Sequence, residues 1–272
     1  MLPILRRGAT GAEVKLLQQR LSATGFRPGR IDGRFGPATE AALLAFQRAR
    51  NLLPDGVVGP ITWHALTGRG DGRPHDRSTE ITVDLVAAMF PFTSLGSIQR
   101  YLPAVLSGLR GFGLVDKPML LMALATIRAE TESFAPVEEA VSRFNTSPDG
   151  HPFDLYDHRT DLGNQGPPDG ARFRGRGFVQ LTGRHNYGHY GERLGLPLIR
   201  DPQRALEPMT AGKLLGAFLA ERSLPIKLAL LEGDLARARR LVNGGQHGLE
   251  RFASAYRIGD ALLPDEVWLA AA

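Results

Sequence analysis

Apolar positions recur with a helical period along most of the chain, and polar breaks divide the pattern into segments of ordinary helix length. Glu13 to Leu21 predicts a first helix, Ala41 to Arg50 a second, and a third begins near Trp63. Beyond Ile81 the period returns near 81–90, 95–110, 117–134, 203–221 and 234–242. The run MLLMALATI (119–127) is apolar enough for a buried helix, and its period carries Met119, Ala123, Ile127, Glu130 and Phe134 onto one face. Glu130 therefore interrupts an apolar stripe. A carboxyl buried there with no charged partner would favour its protonated form, which suits a proton donor. Glu132, about 200° further round at about 100° per residue, is expected to be a solvated surface charge.

Two stretches lack the period. GRGDGRPHDRST (68–79) has no apolar residue and reads as a solvated linker, which divides the chain into 1–67, a linker 68–80, and 81–272. The other, 145–177, is rich in Gly, Pro, Asp and Asn and predicts irregular structure. Before the linker lies a short repeat: Asp32-Gly33-Arg34-Phe35-Gly36-Pro37-Ala38-Thr39 returns as Asp55-Gly56-Val57-Val58-Gly59-Pro60-Ile61-Thr62. Each copy is a turn feeding a helix, with Thr39 and Thr62 placed to cap helices that begin around 40 and 63. The result is a small three-helix module.

Charge alters this picture in one respect. Residues 1–67 hold nine Lys/Arg against four Asp/Glu, whereas the linker (three of each) and 81–272 (21 of each) are balanced. The whole formal excess of +5 therefore sits in the N-terminal module, which points to an anionic surface as its partner. The basic residues are scattered, without interleaved aromatics, so no nucleic-acid partner is expected. With no cysteine in the chain, thiol nucleophiles, thiolate metal sites and disulfides are excluded. No apolar stretch is long and uncharged enough for a membrane span. The start MLPILRRGATG carries no secretory h-region, so a product made in the cytoplasm is expected.

LRRGATGAEVKLLQQRLSATGF, followed by IDGRFGPATEAALLAFQRARNLLPDGVVGPITWHAL, resembles the peptidoglycan-binding domain of bacterial cell-wall hydrolases and phage endolysins. The resemblance covers nearly all of 1–67 and implies bacterial peptidoglycan as partner, and a monomer that acts on the wall after release from the cytoplasm. Exposed groups beside the turns, such as Arg34, Phe35 and Trp63, are the candidates for contacting it.

In the second half, Gly175 and Gly177 let a backbone pass close to a ligand, and Gln180, Thr182 and Asn186 offer neutral groups suited to sugar hydroxyls and acetamides, along an expected short strand. FRGRGFVQLTGRHNY, IRAETESF and LVNGG together resemble, in order, motifs of the chitinase-like family 19 glycoside hydrolases, over roughly 85–262. That resemblance implies a mainly α fold, in which the three-helix peptidoglycan-binding module is joined to a lysozyme-like, mostly helical glycosidase domain. It implies Glu130 as general acid, a second acidic residue after a short loop as general base, with Glu139 the better match and Glu138 its competitor, and Thr182 as the hydroxyl that holds the attacking water. Gln180, Asn186, Tyr187 and Asn243 match sugar-contacting positions. Between 140 and 172 the long loops of plant chitinases have no clear counterpart, which argues against chitin as natural substrate.

The expected reaction is inverting hydrolysis of β-1,4 bonds in peptidoglycan, which needs one acid, one base and no metal or other cofactor. A chitinase, a zinc-dependent amidase or peptidase, and a non-catalytic wall-binding protein remain as alternatives. His185 and His189 stand at i, i+4 spacing but lack the Glu of HExxH, so a surface or structural role is the expectation for them. The bond cleaved is not fixed by the sequence.

Overall fold

A computed structural model describes residues 2–70, 72–245 and 248–264. The fold is mainly α, as the periodicity predicts, with one two-stranded sheet among the described residues. The chain divides into two compact units, one formed by the N-terminal stretch to Asp76 with Leu224–Asp234, the other by Arg77–Ser223 with Leu235–Leu263. The expected boundary at 272 lies outside the described residues.

In the first unit, helices α1 (Ala12–Ala23), α2 (Pro37–Ala49) and α3 (Pro60–Thr67) enclose a core of Val14, Leu17, Leu21, Phe35, Leu43, Phe46, Val58 and Trp63. Both α2 and α3 begin at the proline of the repeat, where a fixed φ and a missing N–H suit the first helical position. Thr39 and Thr62 therefore lie inside the first turn and cap nothing, contrary to expectation. Their hydroxyls serve a buried latch instead. Gln18 donates to Asp32 Oδ1 (3.1 Å), Arg34 O (3.0 Å) and Thr39 Oγ1 (3.1 Å), and accepts from Gly33 N (2.9 Å). Gln47 repeats the pattern with Asp55 Oδ1 (2.8 Å), Val57 O (2.9 Å), Thr62 Oγ1 (3.5 Å) and Gly56 N (3.1 Å). Each glutamine pins one DG turn to the preceding helix. Of the expected wall-contacting groups, Arg34 is exposed, but Phe35 and Trp63 are each 2% exposed and belong to the core, with Trp63 Nε1 donating to Pro3 O. An aromatic ring at either place is more stable under neighbouring apolar side chains than in water.

The tract expected to be a solvated linker is not solvated to its end. Arg77 and Ser78 are buried, Arg77 N donates to Val115 O, and Arg110 Nε donates to Ser78 Oγ (2.6 Å). From here the second unit runs through α4 (Val83–Met89), α5 (Leu95–Gly111) and α6 (Lys117–Glu130). Strand β1 (Val137–Glu138), two helical turns, α7 (Asp154–Asp157) and α8 (Asp169–Arg172), and strand β2 (Arg176–Gly177) follow. Then come α9 (Arg184–Leu194), α10 (Pro208–Ala220), α11 (Ser223–Leu231, most of which belongs to the first unit), α12 (Leu235–Asn243) and α13 (Leu249–Leu262). Helix α6 is buried on every side from Met119 to Ala129, as a central helix must be, and α13 packs along it and against α4. Helices α5 and α10 cross at backbone contact: a Cβ on Gly108 would stand 1.9 Å from Gly212 O, and one on Gly212 2.2 Å from Ala104 O.

Helix α6 stops at Glu130, four residues before the expected end and well ahead of Pro136. Thr131 is already extended, and Phe134, at φ 49°, reverses the chain while its ring packs on Phe90 and Phe178. The expected short strand carrying Gln180, Thr182 and Asn186 is also corrected. Only Arg176–Gly177 pairs with β1, Gln180 occupies a turn at φ 48°, and Asn186 lies in α9. Two glycines in α9 disguise its period, and one of them is required: a Cβ on Gly191 would meet Leu196 O at 2.9 Å.

Replacing Gln47 by Leu keeps an apolar group of similar length but leaves Gly56 N, Asp55 Oδ1 and Val57 O without their buried partner. The expected loss is about 2 kcal/mol in the stability of the first unit. Urea denaturation reads it, and a midpoint equal to that of the parent protein would refute the latch.

Candidate functional site

Two groups of predicted residues assemble in the second unit, one at the end of α6 and one on the β1–β2 ribbon. At the first, Glu130 Oε1 accepts from Arg239 Nη2 of α12 at 2.6 Å; the arginine is fully buried and the carboxylate 17% exposed. The expectation of a carboxyl without a charged partner is therefore corrected: an arginine reaches it from a helix remote in sequence. Asn243 stands one turn beyond Arg239 on α12, and its Oδ1 accepts from Gly245 N (3.1 Å), shaping the Asn-Gly-Gly turn. Gly248, at φ 70°, then brings the chain over Ala129, where a Cβ would lie 3.0 Å from Ala129 O. The LVNGG and IRAETESF motifs thus meet in space. Glu132 is half exposed and bonded to Arg128 and Arg251, whose hydrogen bonds hold its carboxyl below the usual range.

At the second, the β1–β2 ribbon sets Val137 opposite Gly177 and Glu138 opposite Arg176, and Glu139 N continues the ladder to Gly175 O (2.8 Å). Neighbouring residues on an extended backbone face opposite ways, so Glu138 and Glu139 separate. Glu138 turns to Arg176 Nε (2.7 Å) and Arg174 Nη2 (2.8 Å). Burial alone would raise its pKa, but the hydrogen bonds from the two arginines outweigh burial and hold it below the usual range. Glu139 turns to neutral donors. Its Oε1 accepts from Asn145 Nδ2 (3.0 Å) and Tyr156 OH (2.9 Å), and its Oε2 from Gly175 N (3.1 Å).

Gly175 is the meeting point. A Cβ there would lie 2.8 Å from Gln180 Oε1 and 3.2 Å from both Glu139 Oε2 and Thr182 Oγ1. Three predicted residues therefore border one small space over a bare backbone. The Thr182 hydroxyl donates to Gln180 O (2.8 Å), and the Gln180 amide donates to Val137 O (2.9 Å) and Gly177 O (3.2 Å), which holds its own turn in place. Asn186 Nδ2 donates to Thr182 O (2.7 Å). Tyr187 is corrected from an expected sugar contact. It is fully buried, its ring lies against Phe173, and its hydroxyl donates to Arg174 O while accepting from Arg176 Nη1. It braces the arginines that hold Glu138.

Sequence reasoning passed over Asn145, Tyr156 and Arg239. Arg239 had a signal, since it precedes Asn243 by one helical turn on the same face. Asn145 and Tyr156 lie in the irregular stretch and carry none. His185 and His189 stack on each other, and His189 Nε2 meets Glu221 Oε1 at 2.7 Å, where Arg193 also binds. Among the described residues no three His, Asp or Glu side chains converge as metal ligands, and no helix is long and apolar enough to cross a membrane.

A model of the family described as "Putative peptidoglycan binding domain" matches residues 10–66. The chain is similar to an "Uncharacterized protein in bpoA1 3'region" of Kitasatospora aureofaciens, 43% identical over 65 residues, which is 24% of this chain and 55% of that protein. It is also similar to the N-acetylmuramoyl-L-alanine amidase CwlM of Mycobacterium tuberculosis, 45% identical over 56 residues, 21% of this chain and 14% of that one. The chain thus spans about half the length of the first of these relatives and a seventh of the second. Among solved structures, chitinase C from Streptomyces griseus HUT6037 aligns with a TM-score of 0.46 at 20% identity, covering 66% of this chain and 76% of that one.

Burial, reinforced by the hydrogen bond and the charge of Glu139, pushes the Tyr156 phenol up to about 12. Because the folded value lies above the ordinary 10.0, the folded state favours the protonated phenol. That stability is complete below pH 10 and is lost as pH rises through 12. Alkaline titration at 295 nm should therefore show that Tyr156→Phe removes a step near pH 12; loss of a step near 10 would mean that the phenol is neither buried nor bonded to Glu139.

Proposed function

We propose that the protein hydrolyses β-1,4 glycosidic bonds of bacterial peptidoglycan by an inverting, two-carboxylate mechanism, with residues 1–67 as the wall-binding module and 81–272 as the catalytic domain. The family match over 10–66 supports the wall as partner, and the three motifs resembling family 19 glycoside hydrolases support the reaction class. The observation that carries the chemistry is the approach of Glu139 Oε2 and Thr182 Oγ1 to the same space over Gly175.

Thr182 directs its own proton to Gln180 O, so toward that space it presents lone pairs, as the Glu139 carboxylate does. A water bound between them donates both of its protons, one to each oxygen. Its remaining lone-pair density then points away from both, toward a sugar. As that water attacks the anomeric carbon, Glu139 takes the proton, and the hydroxyl fixes the direction of approach. Glu130 is the acid that protonates the leaving oxygen. Arg239 touches its Oε1, so Oε2 is the oxygen that carries the proton. Glu138 is unsuited to the base role, because its carboxylate is already committed to two guanidinium groups. The reading needs no metal, and His189, the candidate ligand of a zinc enzyme, is engaged with Glu221.

Glu130→Gln and Glu139→Gln should each lower turnover on purified peptidoglycan by about 10²-fold or more, with Thr182→Ala falling between them and the parent. Mass spectrometry of the digest identifies the bond, and proton NMR of early product should give the α anomer at the new reducing end. A β anomer at first turnover would remove Glu139 from the base role. Glu138→Gln separates structure from chemistry. It should lower stability by about 1–3 kcal/mol, because the buried Arg176 loses its counter-ion, while kcat falls far less than in Glu139→Gln.

A further inference from the structure

The turn that positions the base also carries two side chains that, among the described residues, make no hydrogen bond, ion pair or ring contact except with each other. Ser142 to Asn145 is closed by Asn145 N to Ser142 O (3.1 Å), Ser142 N to Asn145 Oδ1 (2.8 Å) and Phe144 N to Ser142 Oγ (3.3 Å). Asn145 is fully buried and bonds Glu139 Oε1 and Ala140 O, so this turn is fixed directly to the candidate base. Its other two residues face outward. Phe144 is 73% exposed, with the Arg143 guanidinium carbon 4.9 Å from its ring centroid. Val141 and Leu155, the latter tied to Asn145 O through its backbone N–H, are also exposed and extend the apolar surface. Among the described residues Arg143 meets no carboxylate at ion-pair distance.

A phenylalanine held in water on a turn this well fixed gains nothing for the fold, and its free energy falls when a partner covers it. The same turn holds the Glu139 carboxylate, which makes a substrate bound at that site the partner to consider. It must present a flat apolar face to the ring and a negative charge to Arg143. The axial C–H face of a pyranose meets the first requirement. The second separates two β-1,4 glycans, because chitin strands carry no carboxylate whereas peptidoglycan strands bear peptide stems that do.

We infer that Arg143 and Phe144 form a substrate-selecting pair, in which Phe144 stacks on a sugar ring next to the cleaved bond and Arg143 binds a carboxylate of the attached peptide stem. This rests on the hydrolase reading above and adds what that reading leaves open, namely how a stem-bearing glycan is preferred over a bare one. The two contributions are separable. Ring stacking acts on any glycan strand, while the guanidinium acts only where a stem is present.

The test uses the full chain with soluble peptidoglycan strands bearing stems and with the same strands stripped of stems. Phe144→Ala should raise KM on both by about tenfold while kcat stays within about twofold. Phe144→Trp should restore the KM, which a merely structural role would not predict. Arg143→Gln should lower the ratio of kcat/KM on stem-bearing over stripped strands by about threefold, the size expected of an exposed ion pair. Unchanged KM in Phe144→Ala, or an unchanged ratio in Arg143→Gln, overturns the inference. Calorimetric binding of the two strand preparations reads the same contrasts without turnover. Contrasts present in binding, with no reducing ends released by the parent protein, would therefore sink the hydrolase reading and leave the pair standing.

Discussion

The candidate site depends on a backbone that carries no side chain. At Gly175 the carboxylate of Glu139, the hydroxyl of Thr182 and the amide of Gln180 all come within contact distance of the place where a Cβ would be. Two pieces of chain bring them there: the strand after α6 brings the first, and the turn after β2 brings the other two. Any other residue at 175 would force at least one of them away, and the hydrogen bond from Gly175 N to Glu139 would be strained with it. The two-stranded ribbon is short because it has one task, which is to hold these pieces in register.

Ion pairs and neutral hydrogen bonds divide the acidic residues by role. Glu132 and Glu138 each meet two arginines and are fixed as anions. Among the described residues Glu139 is held only by an asparagine, a tyrosine and a backbone amide, which orient a carboxylate without neutralising it. Glu130 lies between these cases, with one oxygen on Arg239. The four carboxylates of one short acidic stretch therefore have different surroundings, and their partners come from 128 to 251 in the sequence. Proximity in sequence says little about which of them does chemistry.

The parts legible in the sequence were those specified locally. The helical period located α4, α5 and α6, and the doubled DG–GP turn outlined the first unit, because each is determined by residues a few positions apart. Phe35 and Trp63 were misplaced on the surface since a turn motif does not say which way its aromatic points, and the core of a three-helix unit needs large side chains from its turns. Helix α9 was hidden by two glycines, and the purpose of Gly191, close approach to the loop at Leu196 and Leu198, is visible only in three dimensions. The same holds for Tyr156 beside Glu139 and for the pairing of Arg239 with Glu130, although the place of Arg239 one turn before Asn243 is a local signal. A contact across 109 residues, or across 17 through an irregular loop, leaves no periodic trace.

The glutamine latches of the first unit imply something about how that unit tolerates change. Gln18 reaches its aspartate across 14 residues and Gln47 across 8, yet the bonds made at the far end are the same. What the latch recognises is therefore the pair of ends and not the path between them. The connection from the end of α1 to Asp32 is free to differ in length from its counterpart after α2, whereas the eight residues from each DG to its threonine are not. A module built this way can acquire or lose loop at one defined seam, and so alter its exposed surface, without disturbing the helices on either side.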